Sequence, residues 1–230
     1  MDVSACEQRF QQILNSDSPV TEKLSAFEGL RKDCSNLGRY YYLFGGLYLQ
    51  SKNYEKSRDT YELGLKSTSD YDAQLKHGIA TSYYEQNNFD KAAELAKRLT
   101  VEYPKYVVGY AILADISLRK REFKQAVAYA EHAVSITPLA GGYSVLTASY
   151  YELGKYQKAL DAYRIGMKQE NIQFIVRGDA IVAAAYAAAH LGLFPESAEI
   201  VRIRLAALPE SENNPAIQKL IGHLKQKGAW

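Results

Sequence analysis

The chain has 230 residues, 47% of them hydrophobic and 23% charged, the balance of an ordinary globular protein. Its 28 basic and 26 acidic side chains leave a formal net charge of +2, which argues against a protein built to grip phosphate backbones or an anionic membrane surface. No run of about twenty apolar residues is present to span a bilayer, and the most apolar stretch, Ala180 to Ala189, is interrupted by His190.

The first residues, Met1-Asp2-Val3-Ser4-Ala5-Cys6-Glu7, lack the basic-then-apolar order of a secretory signal. A cytoplasmic location is therefore expected, although a chain whose leader had been removed would read the same. Cys6 and Cys34 are no disulfide scaffold in a chain of this length. They are read as small buried hydrophobes in a reduced compartment, with a Cys6–Cys34 bridge as the open alternative. Ser4 and Glu7 have capping-box spacing for a first helix, and Ser18-Pro19 offers an N-cap followed by proline for a second.

From there a segment recurs. It reads Lys52-Asn53-Tyr54-Glu55-Lys56, then Asn87-Asn88-Phe89-Asp90-Lys91, Arg121-Glu122-Phe123-Lys124-Gln125, Gly154-Lys155-Tyr156-Gln157-Lys158 and Gly192-Leu193-Phe194-Pro195-Glu196. Its aromatic anchors, Tyr54, Phe89, Phe123, Tyr156 and Phe194, lie 35, 34, 33 and 38 residues apart, and a weaker copy has Val20 as its anchor. The half before each anchor is apolar and rich in tyrosine. The half after it lines one helical face, as in Phe123, Ala126, Val127, Ala130 and Val134. Nine residues before the anchors stand Gly45, Ala80, Ala114, Thr147 and Ala185; three after them stand Ser57, Ala92, Ala126, Ala159 and Ser197. Side chains this small let neighbouring helix backbones approach closely. Pro104, Pro138 and Pro209, each fifteen after an anchor, close the second helix of their copies.

This pattern resembles the tetratricopeptide repeat, a helix–turn–helix unit of about 34 residues. The resemblance implies an all-α, right-handed superhelical solenoid with units at about 4–37, 38–71, 73–106, 107–140, 140–173 and 178–211, in one array. The usual tryptophan of the first helix is replaced by Tyr41, Lys76, Tyr110, Tyr143 and Ile181, and the first unit has Gln11 and Lys23 where small residues are expected. Four extra residues around Gln173 to Gly178 are expected to lengthen a helix or its connection, with a hinge as the alternative. After Asn214-Pro215, the stripe Ile217, Leu220, Ile221 and Leu224 predicts a capping helix over 214–227 that covers the last repeat.

Chemistry is hard to find in the sequence. His77, His132, His190 and His223 are scattered, and none has metal-ligand spacing with a second histidine or a cysteine. No catalytic residue, metal or cofactor is expected, and the chain is read as a non-enzyme. Gly45-Gly46 reads as close helix packing rather than as a phosphate loop. The basic cluster Arg119-Lys120-Arg121 with Lys124 reads as a solvated turn, so no nucleic acid is expected.

The resemblance places the first helix of each unit on a concave groove. Its inward positions include Tyr42, His77, Tyr84, Asp115, Tyr151, Glu152, Tyr186 and His190, and these are the candidate binding residues. Some family members grip acidic chaperone tails with lysine, asparagine and arginine at such places. Here the positions twelve before the anchors hold Tyr42, His77, Ala111, Ser144 and Val182, so that clamp is missing. The expected function is a scaffold or adaptor that binds a peptide or helix of another protein through tyrosine and apolar contacts. Assembly through the convex face or as a homo-oligomer is the alternative. Of the 19 tyrosines, Tyr48, Tyr83 and Tyr150 (six before the anchors) and Tyr61 and Tyr163 (seven after) are expected to pack between helices.

Overall fold

Helices and short connections alternate along the chain. The computed structural model describes residues 2–170 and 178–230, and these contain no β-strand. They divide into two compact units, 1–112 and 113–230. The first holds α1 (Val3–Leu14), α2 (Val20–Gly29), the short α3 (Arg31–Cys34), α4 (Gly38–Gln50), α5 (Tyr54–Ser67), α6 (Asp72–Glu85) and α7 (Phe89–Glu102). The division falls inside α8 (Val107–Arg119). The second holds α9 (Phe123–Ile136), α10 (Ala140–Glu152), α11 (Tyr156–Gly166), α12 (Asp179–His190), α13 (Phe194–Ala207), a 3-10 turn (Pro209–Asn213) and α14 (Pro215–Gln226). Consecutive helices pack within each unit, and alternate ones also touch, α4 on α6 and α10 on α12. Among the described residues no helix is long and apolar enough to cross a membrane. The extra residues around Gln173 lie outside the described ones, apart from Gly178, which precedes α12.

Every anchor is the first residue of a helix: Val20 of α2, Tyr54 of α5, Phe89 of α7, Phe123 of α9, Tyr156 of α11 and Phe194 of α13. The turn before the five aromatic anchors has a common backbone. Two residues upstream, Lys52, Asn87, Arg121, Gly154 and Gly192 have φ between 60° and 77°. The next amide donates five residues back, as Asn53 N–H does to the Tyr48 carbonyl and Lys155 N–H to that of Tyr150. This is a helix C-terminus closed by one left-handed residue. Asn53 and Asn88 then cap the following helix, accepting from Lys56 and Lys91 N–H.

The small residues are where helices meet. Gly45, Ala80, Ala114, Thr147 and Ala185 are all buried, as are the five residues three after the anchors. Tyr61 on α5 lies between α4 and α6, and a methyl group at Gly45 or Gly78 would overlap its ring. Tyr61, Tyr150 and Tyr163 are buried, as expected from the repeat. Tyr48 and Tyr83 are only half-buried, with Lys56 over the first ring and Arg58 over the second.

The ends correct three expectations. Asp2, not Ser4, caps α1, accepting from Ala5 N–H at 2.7 Å. The second helix starts one residue later than expected, on Val20, with Pro19 in the cap position and no side-chain cap. Cys6 and Cys34, both fully buried, form a disulfide instead of standing as free thiols. Such a bond persists in oxidising surroundings, so the cysteines no longer argue for a reduced compartment. Around the bond Phe10, Phe27, Tyr40 and Phe44 form a ladder with ring centroids 5.4 to 6.3 Å apart, an aromatic core that replaces the small-residue packing of the other repeats.

At the other end the capping helix forms as expected. Asn214 Oδ1 accepts from Ala216 and Ile217 N–H at 2.9 and 3.4 Å, and Ile217, Leu220 and Leu224 are buried against the alanine-dense α12.

Candidate functional site

In the first unit the groove positions of α4 and α6 share a cavity of about 360 Å³. Tyr42, Gly46, Leu49 and Gln50 of α4 line it with His77 and Thr81 of α6, and Leu14, Leu43, Leu47, Tyr61 and Gly78 complete the wall. The helical period explains why: steps of four and three along α4 bring 42, 46 and 49 to one face. Tyr42 is half-buried, 6.4 Å from the Tyr61 ring and 6.0 Å from that of Tyr71. A larger recess of about 470 Å³ between α1 and α2 is lined by Ile13, Ala26 and Leu30 together with Arg9, Gln12, Glu22 and Lys23, a more charged wall with less to offer an apolar anchor.

His77 sits deeper than a surface groove residue. Burial pushes its imidazole down to about 4, so it is neutral at pH 7. Its Nδ1 shares a hydrogen bond of 3.1 Å with the Tyr106 hydroxyl, and burial raises that phenol to about 12. This pair is a neutral polar point in a largely apolar wall. Tyr84, at the end of α6, is half-buried and meets Phe89 edge-on at 5.6 Å.

In the second unit the candidates gather around a ring cluster. Tyr151 lies 5.8 Å from Tyr156, 6.2 Å from Tyr186 and 6.3 Å from His190, and His190 stacks on Tyr156 at 4.2 Å with only 4° between the planes. The left-handed turn at Gly154 folds Tyr156 back beside Tyr151. The Tyr186 hydroxyl donates to the Ala216 carbonyl at 2.7 Å, which ties the ring to the start of the capping helix. Burial raises the Tyr151 phenol first, with Tyr156, Tyr186 and Glu152 adding to it. Glu152 is exposed and faces Arg121 at 3.7 Å, whereas Asp115 is held by Arg119 at 2.6 Å.

The basic cluster is engaged within the chain: Arg119 on Asp115, and Arg121 over the Phe123 ring at 5.5 Å. Among the described residues no group of three histidine, cysteine or acidic side chains could hold a metal ion.

Sequence reasoning missed Tyr61, Tyr106 and Tyr156 as members of these sites. Tyr156 was visible only as an anchor; its distance of five residues from Tyr151 across a Gly turn was the available signal. Tyr106 precedes α8 and lies outside the groove register, so nothing in the repeat pointed to it.

Paired helices stacked through small residues, with apolar and aromatic side chains on their groove positions, define a helical-repeat protein of the interaction class. Family models described as tetratricopeptide repeat match residues 38–71 and 77–140. Solved structures agree on the fold. PilF of Pseudomonas aeruginosa is 13% identical with a TM-score of 0.76, over 96% of this chain and 98% of its own. A chain of the APC/C hetero-tetramer Cut9–Hcn1 is 14% identical with a TM-score of 0.69, over 89% of this chain. This protein spans only 39% of that chain's length. YrrB, described as a TPR protein with an unusual peptide-binding site, is 14% identical with a TM-score of 0.59, over 84% of this chain and 96% of its own. A search of curated proteins found no match. The chain is a tetratricopeptide-repeat protein. Members of this family are generally non-catalytic, and the fold supports a protein–protein interaction scaffold.

Proposed function

We propose that this protein is a non-catalytic scaffold or adaptor that holds a peptide or helix of another protein on its groove-facing residues. The observation that carries the reading is the cavity of about 360 Å³ on α4 and α6, lined by Tyr42, Leu49 and His77. It is apolar, it carries a neutral polar pair at one side, and it lies where this family presents its inner helices. An apolar side chain of a partner would bury itself there, with the His77–Tyr106 pair available for a hydrogen bond. The ring cluster of Tyr151, Tyr156, Tyr186 and His190 supplies contact area in the second unit. YrrB, with a similar fold, has a peptide-binding site by its description, which is consistent with this use.

Gly46 provides the test. A Cβ there meets only the Tyr61 hydroxyl, at 3.9 Å, so a larger side chain enters the cavity rather than the helix packing. A photo-reactive residue at Gln50 identifies the partner in the native cell. Its affinity is then measured for the parent protein and for Gly46→Leu. A loss of about tenfold or more with an unchanged unfolding midpoint is expected, since filling the cavity displaces an apolar anchor worth about 1.5–3 kcal/mol. Equal affinity sinks the reading.

A further inference from the structure

The ring cluster of the second unit has a feature that simple groove lining does not require. Several aromatic rings of the chain carry one or two of its own cations. Tyr48 has Lys56 at 5.8 Å, Tyr83 has Arg58 at 4.5 Å, and Tyr150 has Lys155 and Lys158 at 6.0 and 5.6 Å. Among the described residues, no cation of the chain lies over Tyr151, Tyr156, Tyr186 or His190, although these four rings are the densest aromatic group in their unit. Tyr150 and Tyr151 are neighbours in sequence, about 100° apart around α10; one is covered twice and the other not at all.

We propose that Tyr151, Tyr156, Tyr186 and His190 form a seat for an arginine side chain of the partner. The proposal rests on the groove reading above and adds the chemistry of the occupant. Four π-faces attract a cation without the full desolvation cost of a buried carboxylate pair. Two of the rings, Tyr156 and His190, are parallel within 4°, and a planar guanidinium continues such a stack where a compact ammonium does not. Within the chain the shortest of the approaches just named is also an arginine's, Arg58 at 4.5 Å from the Tyr83 ring. Charge agrees as well. Glu152, next to Tyr151, is exposed and its ion pair with Arg121 is long, so its carboxylate is free to turn toward an incoming cation. The seat is preorganised. Gly154 sets the approach of Tyr156 to Tyr151, and the Tyr186–Ala216 hydrogen bond fixes a third ring.

The probe is N-acetyl-arginine amide, compared with N-acetyl-citrulline amide, which keeps the shape and hydrogen-bonding plane and loses the charge. The full chain is titrated with each and followed by NMR, on the tyrosine and histidine ring resonances and on the probe's side-chain methylenes. With arginine, the rings of Tyr151, Tyr186 and His190 shift together and the methylenes move upfield. With citrulline the response is at least about fivefold weaker, as expected for a cation over several rings. Tyr151→Leu, which keeps apolar bulk, weakens arginine binding by about threefold to tenfold. The exposed His190→Gln does the same and serves should Tyr151→Leu fail to fold. Equal shifts with both probes, no shift with either, or no effect of His190→Gln overturns the proposal. None of these outcomes touches the Gly46→Leu result, which reports on a cavity in the other unit, so the two readings fail separately.

Discussion

The Ser57 hydroxyl donates to the Gly45 carbonyl at 2.8 Å, joining the second helix of one repeat to the first, and Ser197 donates to Ala185 in the same register at the same distance. Both pairs are the residues three after and nine before an anchor. The position also occurs as Ala92, Ala126 and Ala159, all fully buried, so alanine fits there without strain. Ser57→Ala and Ser197→Ala therefore isolate the hydrogen bond. Each is expected to lower stability by about 1 kcal/mol, read from urea unfolding, with Ser57 costing more because it also bonds Ser82 at 3.0 Å. A gain in stability from either substitution would contradict this role.

Gly78 tests the packing of Tyr61. Alanine is the better helix former, by about 1 kcal/mol. Here its methyl group would overlap the buried Tyr61 ring, and overpacking of this kind costs about 1–3 kcal/mol. Gly78→Ala is expected to be net destabilising in the parent chain and nearly neutral in a Tyr61→Leu background. A double-mutant cycle checks this, and additive effects would show that the ring is not what excludes the methyl group.

His77 gives the stability a defined pH dependence. Its folded value of about 4 lies below the ordinary value near 6.5, so the folded state prefers the neutral ring. The stabilisation is fully present above about 6.5 and is lost progressively as pH falls toward 4, to a total of up to about 3 kcal/mol. The Asp72 carboxyl does not interfere. Burial raises it, but hydrogen bonds from Tyr103 and Lys76 outweigh that and hold it below the usual carboxylate value. Unfolding midpoints at pH 7.0 and 4.5 should differ more for the parent protein than for His77→Gln. Identical differences would remove His77 as the cause.

The disulfide closes a sequence separation of 28 residues, and a loop of that size stabilises by about 3–4 kcal/mol in the chain-entropy view. Reduction, or Cys6→Ala with Cys34→Ala, is expected to lower the first thermal transition by several degrees. It should leave hydrogen-exchange protection in 113–230 unchanged. A uniform loss of protection along the chain would mean that the bond stabilises more than the helices it joins.

The repeat register was legible in the sequence because it rests on sterics. Only small residues fit at positions such as 45, 80 and 114, and only a turn fits before the anchors. The terminal helix was legible too, since Asn214-Pro215 and a four-residue stripe leave little choice. The N-terminal region was not. Its core is a ladder of Phe10, Phe27, Tyr40 and Phe44 closed by a disulfide, and no repeat pattern calls for the disulfide. At the candidate site Tyr42 and His77 stand at the same repeat position, twelve before their anchors, and they line one cavity. The sequence could not place Tyr106, which precedes α8 outside the repeat register, and it showed Tyr156 only as an anchor, although Gly154 marks the turn that folds it beside Tyr151.

Tyr61 stands between Gly45 and Gly78 while also forming part of the cavity wall. The thickness of one phenol ring thus sets how far apart α4 and α6 stand, and those two helices carry Tyr42, Leu49, His77 and Thr81. The calibre of the cleft is therefore written in a second helix that lies behind it. Refitting this protein to a broader or slimmer guest would start by changing the spacer at residue 61 and the two glycines that clasp it, leaving the guest-facing side chains as they are.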